Sequence, residues 1–178
     1  MTNVEPGKRE RAVHESGHAV AAFLAFQSRL ALVRCDEPMF ESVTIVSERG
    51  SCAHCKPFGF FFIENRNTDS FDWLVAEVAV YKAGQLADII VNNKKLPENC
   101  YKNDNDQVED LFSTTSPFNE DKVHIVKEAE RRVTTWFKTE FVRKAIDQLA
   151  NELERSGTLE WYKCEQIIAP LIETGIGE

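Results

Sequence analysis

The segment Ala12-Val13-His14-Glu15-Ser16-Gly17-His18-Ala19-Val20-Ala21 decides how this chain is read. Val13, Gly17, Val20, Ala21 and Leu24 recur three and four residues apart, the spacing of one helical face. A helix of about four turns is predicted from Lys8 onward, after the Pro6-Gly7 boundary. On it His14 and His18 stand at i and i+4, one turn apart, so both imidazoles can converge on one metal ion. Glu15 points beside that face, where a carboxylate can take a proton from an activated water and pass it to a leaving amine. A catalytic zinc takes three protein ligands and keeps a fourth position open, so one ligand must come from elsewhere in the chain. The alternative is a pair of partly exposed, hydrogen-bonded histidines with no ligand. Against it, the motif uses two of only four histidines, and the helix is otherwise apolar from Ala19 to Leu24.

Outward from this helix, three runs read as β: Leu30–Arg34, Ser42–Val46 and Phe58–Ile63, with turns at 48–50, Pro57 and Gly59. They predict an antiparallel sheet of about three strands near the N-terminus. Helical spacing returns from Asp72 to Val91, with Gly84 inside it, where a glycine costs stability unless close packing requires a bare backbone. A polar loop follows from Asn92 to Asn105, then a short helix over Asp106–Phe112. Ser116-Pro117 opens one or two helices that run to Gly157 with a break near Phe137. Thr158, backed by Glu160, caps a last helix that fades after Leu171. The predicted class is α+β, predominantly helical, as one domain over 1–178 with a flexible tail over 1–8.

With 178 residues, 43% apolar and 10% aromatic, the chain can bury a sizeable core. The net charge of −8 disfavours a nucleic-acid module, which needs a basic face. Much of that charge lies between residues 98 and 130, a stretch that is either a solvated face or a source of a metal ligand. No run reaches the roughly 18 apolar residues of a membrane span. The first residues lack the apolar core of a signal peptide. Five cysteines, an odd number, fit a reducing compartment, and a cytoplasmic location is expected.

The residues 12–21 resemble the zinc-binding helix of the FtsH-type peptidase domain, the proteolytic module of membrane-linked ATP-dependent proteases. Val43–Val46 resembles the strand that follows that helix in the family, and residues 76–88 resemble its glycine-containing central helix. Asn105-Asp106 resembles the short motif whose aspartate is the third zinc ligand, and residues 149–159 resemble the closing helix–turn–helix. The order and spacing agree from about residue 9 to 172, with extra length near 50–70 and 92–103. The resemblance implies a zincin-like metallopeptidase fold with Zn2+ held by His14, His18 and Asp106 and with Glu15 as catalytic base. Asp104 and Gln107 flank the Asn105-Asp106 pair where the family has a small and an aliphatic residue, so Asp88, Asp104 and Asp110 stand as alternative third ligands.

The resemblance further implies hydrolysis of peptides or unfolded protein, a separate ATPase as partner, and allows a homo-oligomer. No phosphate-cradling G-x-x-x-x-G-K-[ST] motif occurs in these 178 residues. That favours a second reading, a non-catalytic peptide- or protein-binding module that keeps the metallopeptidase fold. Val43–Val46 either holds a peptide by strand addition or packs as an ordinary strand. Cys52 and Cys55 form a C-x-x-C, half of a zinc knuckle that Cys35 or His54 could complete or a redox pair; without a second pair, thiols with no role are the favoured reading. The run Phe58–Phe62 reads as core, and His124 as a surface residue.

Overall fold

The computed structural model describes residues 6–30, 40–46, 54–57, 71–115 and 119–176. Helix α1 spans Lys8–Leu30 and is followed by strands β1, Phe40–Thr44, and β2, His54–Pro57. Helix α2 covers Phe71–Ile90, and a single 3-10 turn over Glu98–Tyr101 leads directly into α3, Lys102–Thr115. Helices α4, Asn119–Lys138, and α5, Glu140–Ser156, come next, then strand β3, Thr158–Glu160, and helix α6, Trp161–Ile176. The described chain is thus predominantly helical with a small antiparallel sheet. No helix among the described residues is long and apolar enough to cross a membrane.

Helix α1 lies at the centre, packed on α2 along one side and on α5 along another, and α2 in turn packs on α4. The reason is the small-residue content of the facing surfaces. Ala12, Ala19, Ala21 and Ala22 of α1 and Ala79, Ala83 and Ala87 of α2 are all buried. A Cβ at Gly17 would lie 2.6 Å from the Ala87 methyl carbon and 2.9 Å from the Ala83 carbonyl oxygen. The two backbones therefore approach closer than larger side chains would allow. Helix α5 shows the opposite design, a strongly amphipathic stripe of Val142, Ala145, Ile146, Leu149, Ala150 and Leu153, all buried. It ends at Gly157, whose φ of 80° suits a residue without Cβ and whose N–H closes the helix on the Leu153 carbonyl. At the outer end of α1, Arg9 reaches Asp147, Asn151 and Glu154 of α5.

The sheet departs from expectation in its membership. Its order is β2-β1-β3, so the third strand comes from the far end of the chain. Ser42, Val43 and Thr44 pair with Glu160, Leu159 and Thr158 on one side, while Val43 and Thr44 pair with Cys55 and His54 on the other. With both edges of β1 occupied over these residues, strand addition there has no free ladder to join. Thr158 is not a helix cap. Its hydroxyl meets that of Thr44 at 2.7 Å, and α6 starts only at Trp161.

Other boundaries also moved. Leu30 belongs to α1 rather than to a strand, and α3 begins at Lys102, four residues before the expected start. The break between α4 and α5 falls at Thr139, in extended conformation, two residues beyond Phe137. Helix α6 continues through Pro170 to Ile176, because Ile168 and Ile172 are buried and Gly175 lies against the Phe141 ring. Residues 31–34 and 58–63, Cys52, Ser116-Pro117 and most of the expected tail lie outside the described residues.

The close approach of α1 and α2 generates a stability prediction. Gly17→Val must push on the Ala83 backbone, which cannot move aside as a side-chain tip can, and should cost about 1–3 kcal/mol or more. Urea denaturation followed by circular dichroism measures it. A variant as stable as the wild type would mean that the two helices are not in this contact.

Candidate metal centre

His14 and His18 leave α1 on the face turned toward α2, their rings edge-on with centroids 4.8 Å apart. The Nδ1 atom of His18 lies 2.7 Å from the Val80 carbonyl oxygen. A carbonyl only accepts, so Nδ1 carries the hydrogen and the neutral ring keeps its lone pair on Nε2. The Nδ1 atom of His14 likewise donates to the Asp88 carboxylate at 2.9 Å, again leaving Nε2 as the lone-pair atom. These two Nε2 atoms are 3.1 Å apart. Asp104 Oδ2 stands 3.1 Å from His14 Nε2 and 3.5 Å from His18 Nε2.

Three electron-pair donors facing one another at such distances repel unless a cation or a proton lies among them. Zinc–nitrogen bonds of about 2.0–2.1 Å at tetrahedral angles separate neighbouring ligand atoms by roughly 3.3 Å, close to the three distances here. The group His14, His18 and Asp104 therefore fits a divalent metal in its donor chemistry and spacing. Gly84 supplies the room. A Cβ there would lie 2.4 Å from His18 Nε2 and 2.5 Å from His14 Nε2, filling the space against both lone pairs. A glycine inside a helix is explained by this approach.

Buried charge surrounds the group. Asp88 is fully buried and Glu15 is 3% exposed, and Asp104 keeps 15% of its side chain accessible. Burial alone would lower the His14 pKa, but its hydrogen bonds to the Asp104 and Asp88 carboxylates and the Glu15 charge hold it well above its ordinary value. Burial acts on His18 in the same way and is outweighed by the Asp104 and Glu15 charges, with the His14 ring opposing. Desolvation would raise the Asp104 pKa, yet the two imidazoles hold it far below the usual carboxylate range. Without a metal, a proton takes the cation's place among these groups.

Around this centre the supports are specific. Asp88 holds His14, and Asn92 reaches the other oxygen of Asp88 at 3.4 Å. Tyr101 stacks on the His14 ring at 5.9 Å, is almost fully buried, and accepts the Leu96 N–H at 2.9 Å. Burial pushes the Tyr101 hydroxyl up to about 12, so it stays protonated. Lys82 of α2 donates to the Asn105 side chain at 2.6 Å and pins the first turn of α3.

The structure does not bring the expected Asp106 to the histidines. It is exposed and pairs with Lys102 one turn before it. Two residues apart on a helix point to nearly opposite sides, so Asp104 and Asp106 cannot both face in. The register of α3 is set by Val108 and Phe112, both buried and lying four and eight residues after Asp104. The two apolar residues were visible in the sequence, but it is their burial in the structure that puts Asp104 on the inward face. Asp110 is exposed on the far side, and Asp88 orients His14 through Nδ1 instead of joining the ligand group. Val80, as a carbonyl oxygen, and Tyr101 carry no motif that would have announced them. Of the paired cysteines, Cys52 lies outside the described residues and Cys55 is placed on β2. His124 is exposed, and the buried Cys164 thiol is pushed up to about 12 by desolvation.

No known family model matches this chain, and no curated protein sequence matches it significantly.

Two outcomes are expected of this geometry. Gly84→Ala should abolish zinc binding, read as metal content after dialysis, while the folded circular dichroism spectrum is kept. Full zinc occupancy in the variant would exclude the site. The second concerns pH in chelator-treated protein. His14 and His18, raised in the fold, contribute stability that is complete below about pH 6.5 and fades as pH rises through their folded values. Asp104, lowered in the fold, contributes stability above about pH 3.8 that is lost as pH falls further. The cluster thus favours the metal-free fold most between about pH 4 and 6.5. Added zinc needs unprotonated imidazoles, so its stabilisation should grow as pH rises toward 8. Thermal melts with and without zinc across pH 5–8 measure both slopes, and a zinc-induced shift that shrinks with rising pH would contradict the ligand set.

Proposed function

We propose that this chain is a zinc-dependent peptidase domain that holds its metal with His14, His18 and Asp104 and uses Glu15 as the proton carrier. The observation that carries the proposal is the convergence of His14 Nε2, His18 Nε2 and Asp104 Oδ2 while both Nδ1 atoms are committed to other acceptors. The donor set of two imidazoles and one carboxylate is one that zinc accepts while keeping an open position. The resemblance of residues 12–21 to the FtsH-type peptidase helix supports the same reading, and with it a zincin-like fold and a peptide or unfolded protein as substrate.

A zinc ion so held supplies Lewis acidity toward a peptide carbonyl and makes water acidic enough to attack it. The residues of the chain do the rest. Asp88 and the Val80 carbonyl fix the two rings so that neither can rotate its lone pair away. Glu15, one residue along the helix from His14 and buried, takes the proton of the attacking water at its carboxylate and delivers it to the leaving nitrogen.

One observation favours the second reading, a metal-holding module without turnover that binds peptide or protein. The ligand side chains are only 12, 8 and 15% exposed, a degree of cover common at structural metals. Glu15→Gln separates the two. The variant should retain one zinc per chain and lose cleavage of an unstructured fluorogenic peptide by about 10²–10⁴-fold. Asp104→Ala should lose the metal, while Asp106→Ala should keep it. Equal peptide cleavage by wild type and Glu15→Gln, or zinc lost from Asp106→Ala but not from Asp104→Ala, would overturn the assignment.

A further inference from the structure

Residues 80–84 of α2 meet the metal centre at three points. The Val80 carbonyl accepts from His18 Nδ1, Gly84 leaves room for both Nε2 atoms, and between them Lys82 donates to Asn105 Oδ1 at 2.6 Å. Asn105 directly follows Asp104, whose carboxylate meets the two rings. This stretch of chain is thinly held. Asp104 and Asn105 are partly buried, whereas Lys102, Asn103, Asp106 and Gln107 around them are exposed. The nearest buried side chains are Tyr101 before the stretch and Val108 after it. Among the described residues, the side chains of 102–107 make two polar links to other elements, Asp104 to the histidines and Asn105 to Lys82. The first depends on a cation or a proton among the convergent donors. The second depends on neither.

We propose that Lys82 is a positioning residue of the metal centre: by holding Asn105 it keeps the first turn of α3 against α2, so that Asp104 is in place before the metal arrives. This inference rests on the metal-centre reading above. Charge alone argues the opposite way. An ammonium close to a divalent cation repels it, so its removal would strengthen metal binding if only its charge counted. Removing the link instead frees a ligand-bearing turn that must be re-ordered on binding. Groups that support a metal ligand change affinity about 10- to 100-fold when lost. The sign of the effect therefore separates positioning from plain electrostatics.

The test is zinc affinity by competition with a chromophoric chelator, for wild type, Lys82→Met, Lys82→Arg, Asn105→Ala and the double variant of Lys82→Met with Asn105→Ala. His18→Ala serves as control. Lys82→Met and Asn105→Ala should each weaken zinc binding about tenfold and alter the visible spectrum of the cobalt-substituted protein. The double variant should bind no more weakly than the weaker single variant, because both changes remove the same link. Lys82→Arg keeps a donor and should bind more tightly than Lys82→Met, the reverse of what charge alone dictates. Lys82→Met that binds zinc as well as wild type or better, Lys82→Arg no tighter than Lys82→Met, or fully additive losses would overturn the inference while leaving the site intact. Wild type that binds no stoichiometric zinc, or His18→Ala that binds it as well, would overturn the site reading and this one together. Should a variant fail to fold, the wild-type protein gives a second measure. Coupling is reciprocal, so zinc should tighten the Lys82 link and slow acetylation of Lys82 by acetic anhydride, read by mass spectrometry against the exposed Lys163. A Lys82 rate unchanged by saturating zinc would overturn the inference.

Discussion

The close crossing of α1 and α2 is the constraint on which the rest of the structure depends. Gly17 lets the Ala83 and Ala87 backbone come against α1, and on the same face Gly84 lets α2 come against the two imidazoles. A side chain at Gly17 would press on the Ala83 carbonyl and the Ala87 methyl, and one at Gly84 would press on both imidazoles. The small-residue interface thus positions the site, and the site explains why α2 carries a glycine where helix propensity argues against one. Helices α4 and α5 press on this pair from the outside with larger side chains, Val133, Phe137, Ile146 and Leu149 among them.

A buried cluster of carboxylates and imidazoles is costly to fold unless its charges are matched. Asp88 and Asp104 pair with His14 and His18, and Glu15 adds a third negative charge nearby. This excess of negative charge in low-polarity surroundings favours a proton or a divalent cation at one place, between the three convergent atoms. The hydrogen bonds to Nδ1 of both rings matter as much as the convergence itself. They commit the tautomers before any metal arrives, so binding need not re-order the rings.

Segments more than a hundred residues apart meet at the sheet. Thr44 bonds to Gly157 and Thr158, and Ile45 donates to the Gly157 carbonyl, where α5 has just ended. The strand nearest the H-E-x-x-H helix in sequence is therefore locked between β2 and β3. This long-range pairing was invisible in the sequence, because Thr158–Glu160 is only three residues long and reads locally as a helix cap followed by a helix. Its strand character exists only because β1 offers it a ladder.

What the sequence determined by itself was periodic and local: the helix of His14 and His18, the long helix around Gly84, the helical stretch ending at Gly157, and the face shared by the two histidines. Those features depend on neighbours within one or two turns, so residue spacing alone encodes them. The tertiary structure decided which aspartate meets the histidines, which groups hold Nδ1, and where the third strand comes from. Asp104 and Asp106 are chemically identical and two residues apart; only the burial of Val108 and Phe112 against the rest of the core turns one of them inward. The Val80 carbonyl and Tyr101 belong to the site through contacts across 62 residues and through ring stacking. No local pattern reports such contacts, because they depend on how separate elements pack.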